Sequence, residues 1–392
     1  MPAQPELQTQ ILNWLADAHA RMLELLEILV NTDSGSYNKA GVDEVGDKVI
    51  AFLSEAGVAT SKIPVEQHGD AIRATVPASG SNRPIMLLGH RDTVFPDGEV
   101  SRRPFAIDGD RAYGPGVADM KAGVVMNAFV LAAFQKFGGA PGPLLGLFTG
   151  DEEIGSPTSQ PIIENEARGA RIVFNSEPGR PTGNVVTERK GGVFLEAEVH
   201  GVAAHSGGAY DKGRSAILEI AHKVQAWHDL TEFDSGITVN VGLISGGQSV
   251  NTVAPHATCR IDVRYRLPEQ RDAILAKIQQ IASGRTVPDT SAMVRILGEF
   301  APLTPSEASE VLFKHYVTNA ATVGLGVDAE SSGGCADSGF TAGVGAPTIC
   351  ATGPVGGNAH SPEEYLEINS LVPRAQALAL AIMNADELAL PG

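Results

Sequence analysis

The sequence is poor in positive charge. It has 29 lysines and arginines against 46 aspartates and glutamates, and its formal net charge is −17 at pH 7. Nucleic acids and anionic membrane surfaces bind broad cationic surfaces, so this balance excludes both as expected partners. An acidic chain can still bind a metal ion through clustered carboxylates, or an anion through a single local arginine.

Cysteines and long hydrophobic runs are also scarce. The three cysteines (Cys259, Cys335 and Cys350) are odd in number and far apart, which argues against a disulfide framework or a zinc knuckle. No stretch approaches the ~18–20 consecutive apolar residues of a membrane span. The first 30 residues lack the basic flank, apolar run and cleavage site of a signal peptide. We therefore expect a cytoplasmic protein; a secreted form without its leader is the alternative.

Hydrophobic residues make up 43% of the 392 residues and charged residues 19%, which is typical of a globular chain. This length favours two domains, or one large domain that carries an insertion. In the first half, short apolar runs at 85–88, 144–148 and 172–174 alternate with helix-like segments at 7–30, 42–55 and 117–136. Fully apolar strands separated by helices predict a buried, largely parallel sheet covered on both faces.

The pattern changes near residue 190. Strand-like segments at 193–199, 237–244, 257–265 and 292–300 combine with helix-like segments at 215–228 and 268–282 in the order β-α-β-β-α-β. This order predicts a ferredoxin-like unit. Helices and an apolar strand return at 306–323, 347–350 and 371–384. The sequence thus predicts one α/β domain, formed by residues 1–189 and 301–392, with an α+β domain inserted at 190–300.

Acidic and histidine residues follow the predicted strands of the larger domain. In a parallel sheet the carboxyl ends of the strands open on one edge, where ligands bind. Packed carboxylates repel one another and need a cation. Two histidines with three carboxylates form the ligand set expected for two zinc ions that share one carboxylate. The candidate residues are His90, Asp92, Asp119, Glu152, Glu153, Glu177 and His360.

Each candidate has a simpler explanation when taken alone. Asp92 or Asp119 could cap a helix, because aspartate before an apolar helical run does so. Glu152 and Glu153 could be a solvated pair at a strand end, and His360 a surface histidine in a glycine-rich loop. Their coincidence at successive strand ends favours a metal site.

Five motifs carry a family resemblance. In chain order, GHRDTVFPDG, GPGVADMKAG, FTGDEEIGS, NSEPGR and GGNAHSPEEY, between residues 89 and 365, resemble the glutamate carboxypeptidase and aminoacylase family of co-catalytic zinc peptidases. Acetylornithine deacetylase and succinyl-diaminopimelate desuccinylase are among its members. The resemblance implies an α/β zinc domain with a mixed, mostly parallel sheet and an inserted ferredoxin-like lid. Because that lid often dimerises, we expect a homodimer.

The resemblance also implies roles for the clustered residues. Asp119 would bridge two zinc ions, with cobalt or manganese as alternative metals. His90 and Glu177 would complete one ion's ligands, and Glu153 and His360 those of the other. Asp92 would orient His90. Glu152 would be the general base that takes a proton from the attacking water and returns it to the leaving amine.

Two residues of the inserted domain resemble residues that contact substrate in the family. His205, in HGVAAHSGG, would donate a hydrogen bond to the tetrahedral oxyanion. The simpler alternative is that it caps the helix beginning near Ser215. Asn251, in GGQSVNTVAP, would hydrogen-bond the substrate.

Three further residues are implied to bind substrate. Arg264, in CRIDVRYR, would hold a free substrate carboxylate with its planar two-point guanidinium. The alternative is an arginine on a strand face that forms surface ion pairs. Gly333 and Gly334, in SSGGCADSG, occupy positions where the family brings its backbone close to the substrate.

The expected activity is hydrolysis of an amide bond next to a free carboxylate, in a small molecule or short peptide. Dipeptides, N-acyl amino acids and pteroyl-glutamate-type compounds are candidate substrates, and an N-acyl amino acid deacylase is the main alternative. A catalytically silent binding protein is disfavoured because Glu152 and all five ligand positions are intact. The segment PGRPTGNVV after Glu177, together with Cys335 and Ala336, departs from the glutamate-specific members, so glutamate selectivity is not implied.

Overall fold

The computed structural model describes residues 4–78 and 82–391. The chain divides into two compact units. The first comprises Met1–Glu188, Leu303–Ser332 and Ala336–Gly392, and the second comprises Arg189–Pro302 and Gly333–Cys335. The domain boundaries predicted from the sequence, 189/190 and 300/301, lie one or two residues from the divisions at 188/189 and 302/303. Gly333–Cys335, predicted to belong to the first domain, groups with the second unit.

The N-terminal part of the first unit alternates helices and strands. Its elements are α1 (Gln4–Asp17), α2 (His19–Val30), α3 (Lys39–Glu55), β1 (Ala59–Ile63), β2 (Ala71–Val76), β3 (Ile85–His90), α4 (Glu99–Arg102), β4 (Ala106–Asp108), β5 (Arg111–Tyr113), α5 (Ala122–Phe137), β6 (Leu144–Thr149), α6 (Gln160–Gly169), β7 (Ile172–Asn175) and β8 (Val185–Arg189). The single helix expected at 7–30 is two helices that meet at Ala18. The helix expected at 117–136 becomes regular only at Ala122, because Asp119 and Met120 have non-helical backbone angles.

The second unit is an antiparallel sheet with two helices. Its elements are β9 (Gly191–His200), β10 (Ala204–His205), α7 (Ala216–His228), β11 (Thr238–Gly246), β12 (Thr252–Val253), β13 (His256–Tyr265), α8 (Pro268–Ser283) and β14 (Ser291–Phe300). The main sheet has the order β11-β13-β9-β14, and each neighbouring pair is antiparallel. Alternate residues of β9, such as Val193 and Leu195, are buried in one apolar cluster with residues of both helices. This arrangement confirms the predicted ferredoxin-like order.

The chain then returns to the first unit. Its last elements are α9 (Glu307–Thr322), β15 (Ala329–Ser332), α10 (Ser338–Gly343), β16 (Thr348–Cys350), β17 (Gly356–Gly357), β18 (Tyr365–Glu367) and α11 (Leu371–Met383). Helix α9 begins with a capping box in which the Ser306 and Ser309 side chains each accept a bond from the other residue's backbone amide.

The central sheet of the first unit has eight strands in the order β1-β2-β6-β3-β7-β16-β8-β15. The four central strands β6, β3, β7 and β16 run parallel. On one side of these four strands, β2 pairs antiparallel with β6 and β1 pairs antiparallel with β2. On the other side, β8 pairs antiparallel with β16. A smaller sheet, β17-β18-β5-β4, lies in the same unit. The α/β class with a mixed sheet, parallel at its centre, is confirmed.

Helix α5 belongs to the core of the first unit. All its residues from Ala122 to Phe134 are buried, together with residues of α1, α2, α3 and α11. The segment Val117–Phe137 is long and apolar enough to cross a membrane by composition, and 94% of its most apolar window is buried inside the protein. A helix that is apolar all round is accommodated in this way inside a large core.

Candidate metal centre

Three parallel strands deliver polar side chains to one edge of the central sheet. Strand β3 ends at His90, β6 is followed by Glu152 and Glu153, and β7 is followed by Glu177. Because β6, β3 and β7 are adjacent and parallel, their carboxyl ends open on the same edge. These strand ends therefore supply one side of the candidate metal centre.

The carboxylate of Asp119 lies between two imidazoles. Its Oδ1 is 3.3 Å from His90 Nε2, and its Oδ2 is 3.3 Å from His360 Nε2. Each oxygen thus faces a different histidine, as a carboxylate shared between two cations would require. Helix α5 has Lys121 as its N-cap residue, so Asp119 does not cap that helix.

The remaining acids divide between the two histidines. Glu177 Oε1 and Glu152 Oε2 each lie 3.8 Å from His90 Nε2. Glu153 Oε2 lies 3.1 Å from His360 Nε2. The two imidazoles and four carboxylates therefore form one continuous cluster centred on Asp119.

Asp92 holds both the histidine and the glutamate loop in place. Its carboxylate oxygens accept hydrogen bonds from the backbone amides of Glu152 and Glu153, at 3.2 and 3.1 Å. Ser36 Oγ donates a third bond at 2.7 Å. His90 Nδ1 lies 3.1 Å from the backbone carbonyl oxygen of Asp92 and 3.4 Å from its carboxylate. One side chain thus fixes the positions of three residues of the cluster.

Two further buried carboxylates support the cluster and were not predicted from the sequence. Glu364 accepts hydrogen bonds from the backbone amides of Gly116, Ala118 and Asp119, at 3.1, 2.9 and 2.9 Å. Asp337 accepts hydrogen bonds from Ser156 Oγ and, at 3.3 Å, from Thr149 Oγ1. Glu364 lies within the motif GGNAHSPEEY, so its position could have been noticed. The sequence gives no sign, however, that Glu364 binds the backbone amides of residues nearly 250 positions earlier in the chain.

A glycine allows the two halves of the cluster to approach each other. A Cβ added to Gly123, in the first turn of α5, would lie 2.0 Å from the carbonyl oxygen of Ser176. Only glycine therefore lets α5 begin this close to the segment that carries Glu177.

The electrostatics of the cluster favour bound positive charge. Burial alone would lower the pKa of His90, but the surrounding carboxylates, Glu152 foremost, hold it well above its ordinary value. Hydrogen bonds that His360 donates to the carboxylates of Asp119 and Glu153 raise its pKa to about 11. Burial and the neighbouring negative charge of Asp119 raise the pKa of Glu153 to about 8. Protons here offset a surplus of buried negative charge, and divalent cations can do the same.

The residues present fit a pair of metal ions. His90 Nε2 and Glu153 Oε1 are buried without a hydrogen-bond partner among the described residues, although carboxylates surround the former. Donor atoms of His90, Asp119 and Glu153 lie within 4.8 Å of one another, as do those of His90, Glu152 and Glu177. Imidazole nitrogens and carboxylate oxygens are zinc ligands, so this donor set matches the chemistry expected of zinc.

Five residues predicted to act on substrate lie in the second unit. His205 ends β10, and its Nδ1 accepts hydrogen bonds from the amides of Gly207 and Gly208, both at 3.1 Å. The helix-capping alternative is wrong, because Ser215 Oγ accepts the bond from the amide of Leu218 that caps α7. Asn251 lies beside His205, since its carbonyl oxygen accepts a bond from the Ser206 amide at 2.9 Å.

Arg264 is held by two neighbours within the second unit. Its Nε donates to both carboxylate oxygens of Asp262, at 2.9 and 3.0 Å, and its Nη1 donates to Cys335 Sγ at 2.7 Å. The guanidinium also lies over the ring of Phe194, 5.3 Å from its centroid. The pair with Asp262 agrees with the simpler explanation, a strand arginine in an ion pair, and leaves a role in substrate binding as a prediction.

Gly333 and Gly334 are exposed and group with the second unit. A Cβ added to Gly333 would meet nothing within 4 Å. The protein's own packing therefore does not require glycine at this position, and close approach of a substrate stays a prediction.

Comparison with known proteins places the chain in a family. The model of Peptidase family M20/M25/M40 matches residues 86–384. Carboxypeptidase G2 of Pseudomonas sp. (strain RS-16) is 28% identical over 375 residues, which cover 94% of this chain and 90% of that protein. Succinyl-diaminopimelate desuccinylase of Gluconobacter oxydans (strain 621H) is 29% identical over 317 residues, covering 74% and 79%.

Among solved structures, an M20 family metallo-carboxypeptidase from Sulfolobus solfataricus shares the fold. Its TM-score is 0.76 at 18% identity, and the match covers 93% of this chain and 99% of that one. The family model spans all three strand-end motifs and the His360 segment, and the fold is that of known members. The chain belongs to peptidase family M20/M25/M40.

Proposed function

We propose that the protein is a two-zinc hydrolase of the carboxypeptidase type, which cleaves an amide bond next to a free carboxylate. The observation that carries this proposal is the position of Asp119, with one oxygen toward His90 and the other toward His360. Family membership supports the hydrolase class. The similarity to carboxypeptidase G2 along 94% of the chain supports a carboxypeptidase.

The cluster supplies two sets of ligands. His90, Asp119 and Glu177 would hold one ion, and Asp119, Glu153 and His360 the other. When bound, two zinc ions polarise the amide carbonyl and lower the pKa of water toward neutrality; cobalt or manganese could replace them. Asp92 keeps His90 and the glutamate loop aligned for this binding through the hydrogen bonds described above.

Glu152 is the proposed general base. It is 6% exposed, and burial raises its pKa well above the ordinary value, with Glu177 and Glu153 adding to the rise. A carboxylate of raised proton affinity can take a proton from water as the water oxygen adds to the substrate carbonyl carbon. When the C–N bond breaks, Glu152 returns that proton to the leaving amine. The adjacent Glu153 points to His360, so it can bind a metal ion while Glu152 transfers the proton.

Residues of the second unit would bind the substrate. We propose that His205 donates a hydrogen bond to the developing oxyanion and that Asn251 hydrogen-bonds the substrate. Arg264 would bind the free carboxylate through the guanidinium N–H groups that Asp262 and Cys335 do not use. A guanidinium fixed by two neighbours and an aromatic ring loses little freedom on binding, which favours recognition of a planar carboxylate.

A cavity beside Glu153 suits the acyl part of the substrate. It has a volume of about 430 Å³, within the range of small-molecule sites. Tyr37, Val94, Phe95, Pro96 and Ile154 give it an apolar wall. We propose that an aromatic or other apolar acyl group occupies this cavity.

An N-acyl amino acid deacylase is the second candidate, and the similarity to a desuccinylase favours it. The two activities use the same proposed chemistry and differ in which side of the amide determines specificity. A silent ligand-binding protein is disfavoured, because Glu152 would then have no reason to lie buried beside His90.

The test combines metal analysis with a substrate panel. Purified protein is assayed for zinc and tested on dipeptides and N-acyl amino acids before chelation, after chelation and after zinc is restored. One series varies the acyl group on a fixed amino acid, and the other varies the amino acid under a fixed benzoyl group. A carboxypeptidase discriminates most strongly in the second series and a deacylase in the first. The absence of zinc-dependent hydrolysis in both series would refute the proposal.

A further inference from the structure

A second group of metal-binding side chains lies in the second unit. Glu198 and His200 alternate on β9, and His256 begins β13 directly opposite His200. His256 Nε2–H donates to Glu198 Oε1 at 2.7 Å, and His200 Nε2 lies 3.3 Å from the same oxygen. We call these three residues the outer-face cluster, because they lie on the sheet face opposite the buried residues of β9.

The charge on this face is distributed unevenly. Glu196, two residues before Glu198, accepts hydrogen bonds from Arg260 and Arg295 on the two neighbouring strands. At the next position along the same face, Glu198 has Thr258 and Met293 as its cross-strand neighbours. Among the described residues, no lysine or arginine pairs with Glu198, and its partners are the two imidazoles. The negative charge of Glu196 is thus balanced by two arginines. The carboxylate of Glu198 faces two histidines instead, and imidazoles can bind a metal ion together with it.

The spacing of the donor atoms suits a tetrahedral ion. Zinc binds imidazole nitrogen and carboxylate oxygen at about 2.0–2.2 Å, which places tetrahedral donors roughly 3.3 Å apart. The separation of His200 Nε2 from Glu198 Oε1 is 3.3 Å, and all three donor atoms lie within 4.8 Å of one another. The third pair, His256 Nε2 and Glu198 Oε1, is a direct hydrogen bond at 2.7 Å and must lengthen for both atoms to bind one ion. The side chains of His200 and His256 are about half exposed, which leaves them room to rotate.

We infer that the outer-face cluster binds one divalent transition-metal ion, with solvent at the fourth position. Two imidazoles and one carboxylate favour zinc, nickel or copper(II) over calcium or magnesium, which prefer oxygen ligands. The ion joins β9 to β13 and binds the folded sheet, so it raises the thermal unfolding midpoint of the protein. This site shares no residue with the candidate metal centre and does not depend on the proposed hydrolase activity.

The first experiment counts metal ions. The full-length apoprotein is dialysed against buffered free zinc in the low micromolar range, and bound zinc is measured by elemental analysis. His200→Asn and His256→Asn should each hold one zinc per chain less than the wild type, with unchanged kcat/KM. His222→Asn, at an exposed position on α7, is the matched control and should keep the full count. An undiminished zinc count in both cluster variants overturns the inference.

The second experiment needs no variant and so remains decisive if the substitutions disturb folding. Ni²⁺ is added to wild-type protein reconstituted with two zinc ions per chain, enough for the candidate metal centre but not for the outer-face cluster, while the histidine ring resonances are followed by NMR. The rings of His200 and His256 should broaden together at substoichiometric Ni²⁺, while that of His222 stays sharp. Sharp signals from both cluster histidines at equimolar Ni²⁺ would rule the site out.

Discussion

The carboxylate of Glu364 accepts the backbone amide hydrogen of Asp119 at 2.9 Å. The same side chain accepts bonds from Gly116 and Ala118, so one buried acid fixes the loop that presents the shared carboxylate. Burial raises the pKa of Glu364 to about 7, even though the three amide donors stabilise its charged form. Glu364 is therefore a positioning residue that acts on the metal centre through Asp119.

Replacing Glu364 should lower the affinity for zinc more than it lowers kcat/KM measured at saturating zinc. Loss of a partner that orients a metal ligand typically reduces affinity by about 10- to 100-fold. Glu364→Gln keeps one carbonyl oxygen for these amides and should lose less zinc affinity than Glu364→Ala. The measurement is competition with a chromophoric chelator, and kcat/KM at saturating zinc should recover most of its wild-type value in Glu364→Gln.

The adjacent Glu363 provides the control, because it is exposed and its side chain accepts none of these bonds. Glu363→Gln should bind zinc as the wild type does. Equal zinc affinity in Glu363→Gln and Glu364→Ala would show that the loop holds Asp119 without help from Glu364.

Glu152→Gln should separate catalysis from metal binding. The substitution keeps the shape of the side chain but removes its ability to take a proton. Turnover should fall by about 10²- to 10⁴-fold, the usual contribution of a general base. The zinc content of each preparation is measured alongside kcat. Turnover within a few-fold of the wild type in zinc-loaded Glu152→Gln protein would mean that another group removes the proton.

The sequence predicted the strand-end part of the cluster for a physical reason. His90, Glu153 and Glu177 come shortly after three short apolar runs of sequence, and adjacent parallel strands must bring their ends together. Asp119 and His360 lie on loops, and no periodicity indicates where a loop goes. The sequence grouped them with the strand ends because they too come after strand-like segments, and the family resemblance supplied their roles. The structure brings Asp119 Oδ2 to 3.3 Å from His360 Nε2.

The features that the sequence did not predict are local or depend on distant contacts. The segment 7–30 has continuous helical periodicity and contains no glycine or proline, so nothing in it marks the break at Ala18. Strands β4, β5, β17 and β18 have two or three residues each, too few for an alternation to show. Asp337 and Glu364 act through hydrogen bonds to residues more than 180 positions away in the sequence.

Arg264→Ala should affect substrates according to their charge. If Arg264 binds the free carboxylate, kcat/KM should fall by about 10- to 100-fold for carboxylate substrates, since a charge-assisted hydrogen bond contributes about 1.5–3 kcal/mol. Amide-capped analogues should change little. Arg260→Ala on the same strand is the control, because its Nε pairs with Glu196. Equal losses for capped and uncapped substrates would assign Arg264 to the ion pair with Asp262 alone.

A buried ion pair should determine the acid stability of the second unit. Lys223 Nζ lies 3.0 Å from Glu219, with both side chains at most 4% exposed. The ammonium also donates to the carbonyls of Ala282 and Gly284, while Glu219 accepts the amide of Val287. The pair thus joins α7 to the segment after α8. Removal of one partner leaves a buried charge unpaired, so Lys223→Met should lower the free energy of unfolding by about 3–5 kcal/mol.

The same pair gives a pH dependence of defined sign. Burial alone would raise the pKa of Glu219, but the amide donors and Lys223 bring it below its ordinary value of 4.5. A carboxyl group whose pKa is lowered by folding stabilises the protein above its unfolded pKa, and this stabilisation is lost as the pH falls through the folded pKa. The difference in unfolding free energy between wild type and Glu219→Gln should therefore be large at pH 7 and shrink below about pH 4. Urea titrations at several pH values measure it, with the exposed Lys277→Met as the control for Lys223→Met. A difference that stays constant from pH 7 to pH 3 would mean that Glu219 stabilises the fold by packing and not by its charge.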